Sequence, residues 1–225
     1  MSGKETSLQQ DRYNQKIKKI LSIAARLFAK KGYEKVSIEE IAAKLSLTKG
    51  SLYHYFRSKE EVLFYIQMDA LEIGNAALTE VLNSDLDPVG KLTDAIRIHV
   101  EIITRREISG ALQQPELLLP PLLRARVIES RDRYDARFRR IISEGVAAGV
   151  FDCADPRLSS IAALSVLNGI AKWYSPKGEK SVEEIADAFT DFIVRGFGAR
   201  PSPKPPRPEH PAVDAPGLEE DLLDL

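Results

Sequence analysis

A chain of 225 residues with 44% hydrophobic content can bury a sizeable core as one large or two modest units, which excludes a wholly disordered protein. Cys153 is the single cysteine, so an internal disulfide and a cysteine metal cluster are both excluded, and no run approaches the ~20 apolar residues of a membrane span. The net charge of −1 hides an uneven distribution: residues 1–65 carry 13 Lys/Arg against 7 Asp/Glu, residues 66–200 carry 17 against 20, and residues 201–225 carry 2 against 6. A basic N-terminal region beside a near-neutral body suits a polyanionic partner. The first residues lack the apolar stretch of a signal peptide, and a reducing cytoplasm is the expected location.

Residues 1–12 are polar and are expected to form a flexible extension. From about residue 14 to 31, Ile17, Ile20, Leu21, Ala24, Leu27 and Phe28 fall at helical spacing, with lysines elsewhere around the helix and Gly32 at its C-cap position. Those lysines read equally as a solvated face or as phosphate contacts.

Ser37 and Glu40 have the spacing of a capping box, so a helix should start there and bury Ile38, Ile41, Ala42 and Leu45. Ser46-Leu47 breaks it, and Thr48 can cap a second helix that Leu52 and Phe56, four apart, pin to the first. Opposite this stripe lie Lys49, Gly50, Ser51, Tyr53 and His54: donors, a cation and a gap, a set suited to phosphates and base edges. The arrangement is that of a helix-turn-helix with a recognition helix.

Ser58 and Glu61 repeat the capping-box spacing and open a helix to roughly residue 82. Lys59 in its first turn opposes the helix dipole, which either a nearby phosphate or plain exposure would resolve. Residues 83–90 read as a linker. Helical patterns follow over 91–106, briefly over 107–113, and from Pro120-Pro121 to near Gly149. Asp155-Pro156 starts a helix that is apolar nearly all round from residue 161 to 174, and Ser181 with Glu184 caps the last one. Two such helices form a homodimer interface through Ile161, Leu164, Asn168, Phe189, Phe192 and Ile193, or else one of them is simply central in a monomeric bundle. The last residues, with seven prolines in 201–225 and an acidic end, read as an extended tail.

The run from Ser37 through Lys59, with Phe28, Gly32 and Tyr33 before it, resembles the N-terminal domain of the TetR/AcrR family of bacterial transcriptional regulators over about residues 14–66. The resemblance implies an all-α fold: a three-helix DNA-binding head over 13–60 and a larger helical bundle over 61–198 for effector binding and dimerisation, ahead of the tail at 199–225. It implies base reading by Lys49 and Ser51. Thr48, Tyr53, His54 and Lys59 would contact mainly phosphates, and Ser37 the backbone. The body is more loosely similar to a branch whose effectors include acyl-CoA thioesters and steroid-degradation CoA intermediates. That branch often carries Trp after the Asn and Arg before the Trp-Tyr, where this chain has Gly169 and Lys172.

The expected partners are double-stranded operator DNA, a small and mostly apolar effector and a second copy of the chain, with no membrane and no cofactor. Met68, Ile96, His99, Val100, Ile103, Tyr134 and Phe138 are candidate pocket residues that also fit an ordinary core, and Trp173 is a ligand wall or core. The histidines fall in three separate regions and no Ser or Cys sits in a nucleophile motif, which argues against an enzyme. A DNA-binding adaptor acting through a protein partner is the remaining alternative.

Overall fold

The computed structural model describes residues 2–105 and 118–199, so the segment over 107–113 and the tail beyond Ala199 lie outside the described residues. Among the described residues all regular structure is helical: α1 (Ser2–Lys31), α2 (Ile38–Lys44), α3 (Lys49–Tyr53), α4 (Lys59–Asn83), α5 (Pro88–Thr104), α6 (Pro121–Ala147), α7 (Pro156–Trp173) and α8 (Val182–Gly196).

Of the N-terminal extension expected over 1–12, residues 2–12 are instead the first part of α1. Polarity was a poor guide there. Residues 4–31 contain neither Gly nor Pro and are rich in Lys, Gln, Glu, Ala and Leu, so a nucleated helix propagates through them at little cost. Tyr13, on this part of α1, stacks on Tyr55 with ring centroids 5.3 Å apart. At the other end Gly32 takes φ +82° and its N–H bonds the Phe28 carbonyl at 2.9 Å, a left-handed stop that a side chain would strain.

Local signals set most of the other starts. Ser37, Thr48, Ser58, Asp87, Asp155 and Ser181 each accept a first-turn N–H of the helix that follows. The capping box is reciprocal at Ser181, where the Ser181 N–H donates to Glu184 Oε2 at 2.8 Å. At the other two sites the carboxylates go elsewhere: Glu40 pairs with Lys31, and Glu61 accepts from the Arg57 N–H. α5 begins three residues before the expected Lys91, because Pro88 suits a first helical position and Asp87 Oδ1 takes the Gly90 N–H at 2.7 Å.

The buried residues form separate cores. One joins Ile20, Ala24 and Phe28 of α1 to Ile41, Leu52 and Phe56, closed by Val62 to Met68 of α4 and touched by Leu119 and Val127. The other joins the rest of α4, from Ala70 to Val81, to α5, α6, α7 and α8. α4 is thus shared, its N-terminal half built into the head and its C-terminal half into the body. α5 runs through the middle of the body, packed against α4, α6, α7 and α8.

At the end of α6 the helix passes against the segment that follows it. A Cβ on Gly145 would sit 2.1 Å from Cδ2 of Phe151, whose ring is buried and lies 5.8 Å from that of Phe197. Gly145→Ala should therefore cost about 1–3 kcal/mol despite alanine's better helix propensity. The check is the urea midpoint: a fall at unchanged m is expected, and an unaltered midpoint would show that the ring turns aside freely.

Candidate nucleic-acid interface

A helix of five residues is far below the length that is stable alone, so α3 is held by its surroundings. Leu52 is 0% and Phe56 2% exposed, and burying each contributes about 1.5–3 kcal/mol. Thr48 Oγ1 accepts the Ser51 N–H at 3.0 Å and lies 2.8 Å from Ser51 Oγ. The turn before it runs through Ser46 at φ +53°, with the Leu47 N–H bonding back to the Ala42 carbonyl at 2.9 Å.

With Leu52 beneath, the other face is outward. Thr48, Lys49, Gly50 and His54 are exposed, Ser51 is half-buried, and Tyr53 is 43% exposed. A Cβ on Gly50 would meet only Thr48 Oγ1, at 3.9 Å, so the fold has room for a side chain there; its absence leaves the outside surface clear. Ser37 is exposed at the start of α2 with its Oγ taking the Glu40 N–H at 3.1 Å. Lys49 forms an ion pair with Glu39 of α2, and its Nζ lies 5.8 Å from the Tyr53 ring centroid. The Lys49 ammonium holds the Glu39 carboxyl below its usual range, and the carboxylate in turn raises Lys49.

Lys59 has an internal partner. Its Nζ donates to the Tyr33 carbonyl at 3.0 Å and sits 4.1 Å from the Tyr33 ring centroid, which answers its conflict with the α4 dipole from within the head. Tyr33 OH in turn donates to Glu60 at 3.3 Å.

The expected pocket residues divide. Ile96, Val100 and Ile103 of α5 share one core with Tyr134 and Phe138 of α6, and His99 Nδ1 lies 3.0 Å from Tyr134 OH. His99 is half-buried, with its Nε2 sealed from water and the Asn168 side chain beside the ring. Met68 does not join them: it is buried in the head core. Trp173 is not core: it is 56% exposed and stacks on Phe189 across α7 and α8.

Of the residues expected at a dimer interface, Ile161 and Phe192 are 51% and 66% exposed, Asn168 is exposed and Phe189 is half-buried. Leu164 and Ile193 turn the other way, into the body core. A helix without a polar face gives no periodic signal of which apolar side is inside. Leu158 and Val166 join the exposed set on α7 and were missed for the same reason. Sequence reasoning also missed Glu39, whose place in the first turn of α2 looks like an ordinary helix-dipole partner.

Two short capped helices with a polar outward face on the second define a helix-turn-helix DNA-binding protein. The family model described as "Bacterial regulatory proteins, tetR family" matches residues 20–66, and "Tetracyclin repressor-like, C-terminal domain" matches residues 85–197. The chain belongs to the TetR family of transcriptional regulators, which are DNA-binding proteins and not enzymes. It is 27% identical over 186 residues to the HTH-type transcriptional repressor KstR2 of Mycolicibacterium smegmatis, covering 79% of this chain and 88% of the relative. The TetR family regulator PfmR of Thermus thermophilus has a similar structure, with a TM-score of 0.74, 37% identity, and coverage of 78% of this chain and 97% of that one. AibR in complex with isovaleryl coenzyme A and operator DNA aligns with a TM-score of 0.70 and 29% identity over 80% of this chain and 97% of that one. Regulators of this kind join operator binding to a ligand response. No helix among the described residues is long and apolar enough to cross a membrane, and none of their His, Cys, Asp and Glu side chains group to hold a metal ion.

Burial pushes His99 down to about 4, opposed in part by the Asn168 side chain, whereas an unfolded histidine titrates near ~6.5. Between these values the unfolded chain binds the proton that the folded chain refuses. This contribution is therefore intact above the unfolded value and lost as pH falls toward 4, by up to about 3 kcal/mol. Urea melts at pH 7 and pH 4.5 should show a smaller acid loss for His99→Gln than for the parent chain; equal losses would place the ring in water.

Proposed function

We propose that the chain is a repressor that binds a near-palindromic operator as a homodimer and is released by a small, mostly apolar effector. The observation that carries the reading is the two-sidedness of α3: Leu52 and Phe56 are buried beneath it, while Lys49, Tyr53 and His54 stand exposed above. Lys49 and Ser51 then meet base edges in the major groove. Ser37, Thr48, Tyr53 and His54 contact phosphates, and Gly50 lets the backbone approach. Lys59 chiefly positions the Tyr33 segment and lends its charge to the rim.

Two-fold pairing through the exposed faces of α7 and α8, with Ile161, Asn168, Phe189, Phe192 and the Trp173 ring at the seam, would set the heads in successive grooves roughly 34–36 Å apart. Affinity would come largely from phosphate neutralisation and fall steeply with salt. The effector enters between α5 and α6, beside Ile96, His99, Val100, Ile103, Tyr134 and Phe138; of the classes that the sequence resemblance implies, an acyl-CoA thioester is the one favoured by the isovaleryl coenzyme A of the AibR complex.

The body offers a route from that site to the head. The Tyr134 ring fits against Gly74 of α4, where a Cβ would be 2.8 Å away. Arg137 donates to Asn75 Oδ1 and Thr79 Oγ1, both at 2.9 Å, and Asn75 donates to the Ser130 carbonyl at 3.0 Å. A shift of α6 would strain these contacts or carry α4, whose first half is part of the head core. The effector must favour the shifted state over the DNA-bound one, since equal affinity for both would move nothing.

With an operator obtained by in vitro selection, Tyr53→Ala should weaken binding in a gel-shift assay by at least about tenfold, while the thermal melt stays within about 0.5 kcal/mol of the parent. Retained affinity would refute the recognition assignment. A series of acyl-CoA thioesters should release the operator from the parent chain, and release by none of them would remove the proposed effector class.

A further inference from the structure

The ion pair between Glu39 and Lys49 is the feature of the DNA-facing surface that the reading above leaves without a role. It joins the two helices of the helix-turn-helix across their outward side, with side chains 54% and 55% exposed. Water screens such a pair, so it adds little to stability. Its position is a cost to any protein that only needs to attract DNA, because it places a carboxylate beside the lysine that leads α3.

We infer that Glu39 is a specificity-determining residue of the operator site, which keeps Lys49 from being captured by phosphates and itself accepts a hydrogen bond from a base-edge amino group. A lysine is a compact charge on a flexible stem, and beside DNA a free one settles on phosphate oxygens, which carry no sequence information. Glu39 holds the ammonium on the α2 side, above the Tyr53 ring, and repels phosphates from the same spot. Once the pair is in the major groove the carboxylate loses water and needs a donor, and the donors there are the N4 amino group of cytosine and the N6 amino group of adenine. Lys49 needs acceptors, and the richest are O6 and N7 of guanine. The two side chains therefore meet DNA as one donor–acceptor unit that a phosphate cannot satisfy.

This inference rests on the recognition role of α3. Its test compares the parent chain with Glu39→Gln, Lys49→Met and the double variant on the selected operator and on a random duplex of equal length, across a salt series. Glu34→Gln, a charge loss at another exposed acid of the head that does not pair with Lys49, serves as the control. Glu39→Gln should bind the random duplex several-fold more tightly with a steeper salt dependence, and lower the operator-to-random ratio by about tenfold. Repeating the selection with this variant should show preference lost at one symmetry-related base pair in each half-site. Combined with Lys49→Met, most of the effect should vanish, since the pair acts as a unit.

An equal gain on both duplexes, as for Glu34→Gln, or an unchanged selected sequence, would overturn the inference and leave Glu39 an ordinary surface acid. If the recognition reading itself were wrong, Tyr53→Ala would keep its affinity, so the two failures are told apart by that variant. A thermal melt at the parent value secures that the exposed substitutions act on binding.

Discussion

Everything distinctive about the head follows from seating a helix too short to exist alone. α3 has five residues, and its single fully buried side chain, Leu52, is joined by Phe56 just beyond the helix end. Those contacts, the Thr48 cap and the turn through Ser46 keep it helical, and they also decide which side faces out. The long α1 and the first half of α4 supply the remaining walls of the core. A DNA-binding surface gains from such rigidity, since each rotation of α3 about its axis would exchange the exposed Lys49 and Tyr53 for Leu52.

The body solves a different problem. Its core is larger and runs through α5, and it encloses polar groups: the His99 ring beside Tyr134 and the Asn168 side chain, and the buried Thr190. His99 is bonded to Tyr134, Tyr134 is pressed on Gly74, and Gly74 belongs to the helix that also builds the head. Body and head are thus joined through one continuous helix, α4, and its polar ties to α6.

How much of this was legible in the sequence depended on the range of the interaction involved. Caps at Ser37, Thr48, Ser58, Asp155 and Ser181 could be read because a cap is settled within three or four residues. The outward face of α3 could be read because Leu52 and Phe56 fix its phase. The start of α1 could not, because polar helix formers and polar extensions share a composition. Trp173 and Leu164 were misplaced because a helix apolar on every side carries no phase, and only the packing of α7 against α5 and α6 selects the inside; Ile193 turns inward because α8 lays its apolar stripe on α5. Met68 fell into the head core because α4 changes allegiance partway along, which no local pattern announces. The pairing of Glu39 with Lys49 spans the turn between two helices, and it is a fact of tertiary geometry alone.

The claim on which the account turns is that α3 presents its Lys49, Ser51 and Tyr53 side to the major groove. Dimethyl sulfate footprinting of the protein on its selected operator reads this directly, because methylation at guanine N7 reports the major groove and at adenine N3 the minor. Guanines protected in two patches on one face of the duplex, about one helical turn apart, are the expected result. Protection at adenine N3 with the guanines left open, or a single protected patch, would contradict it.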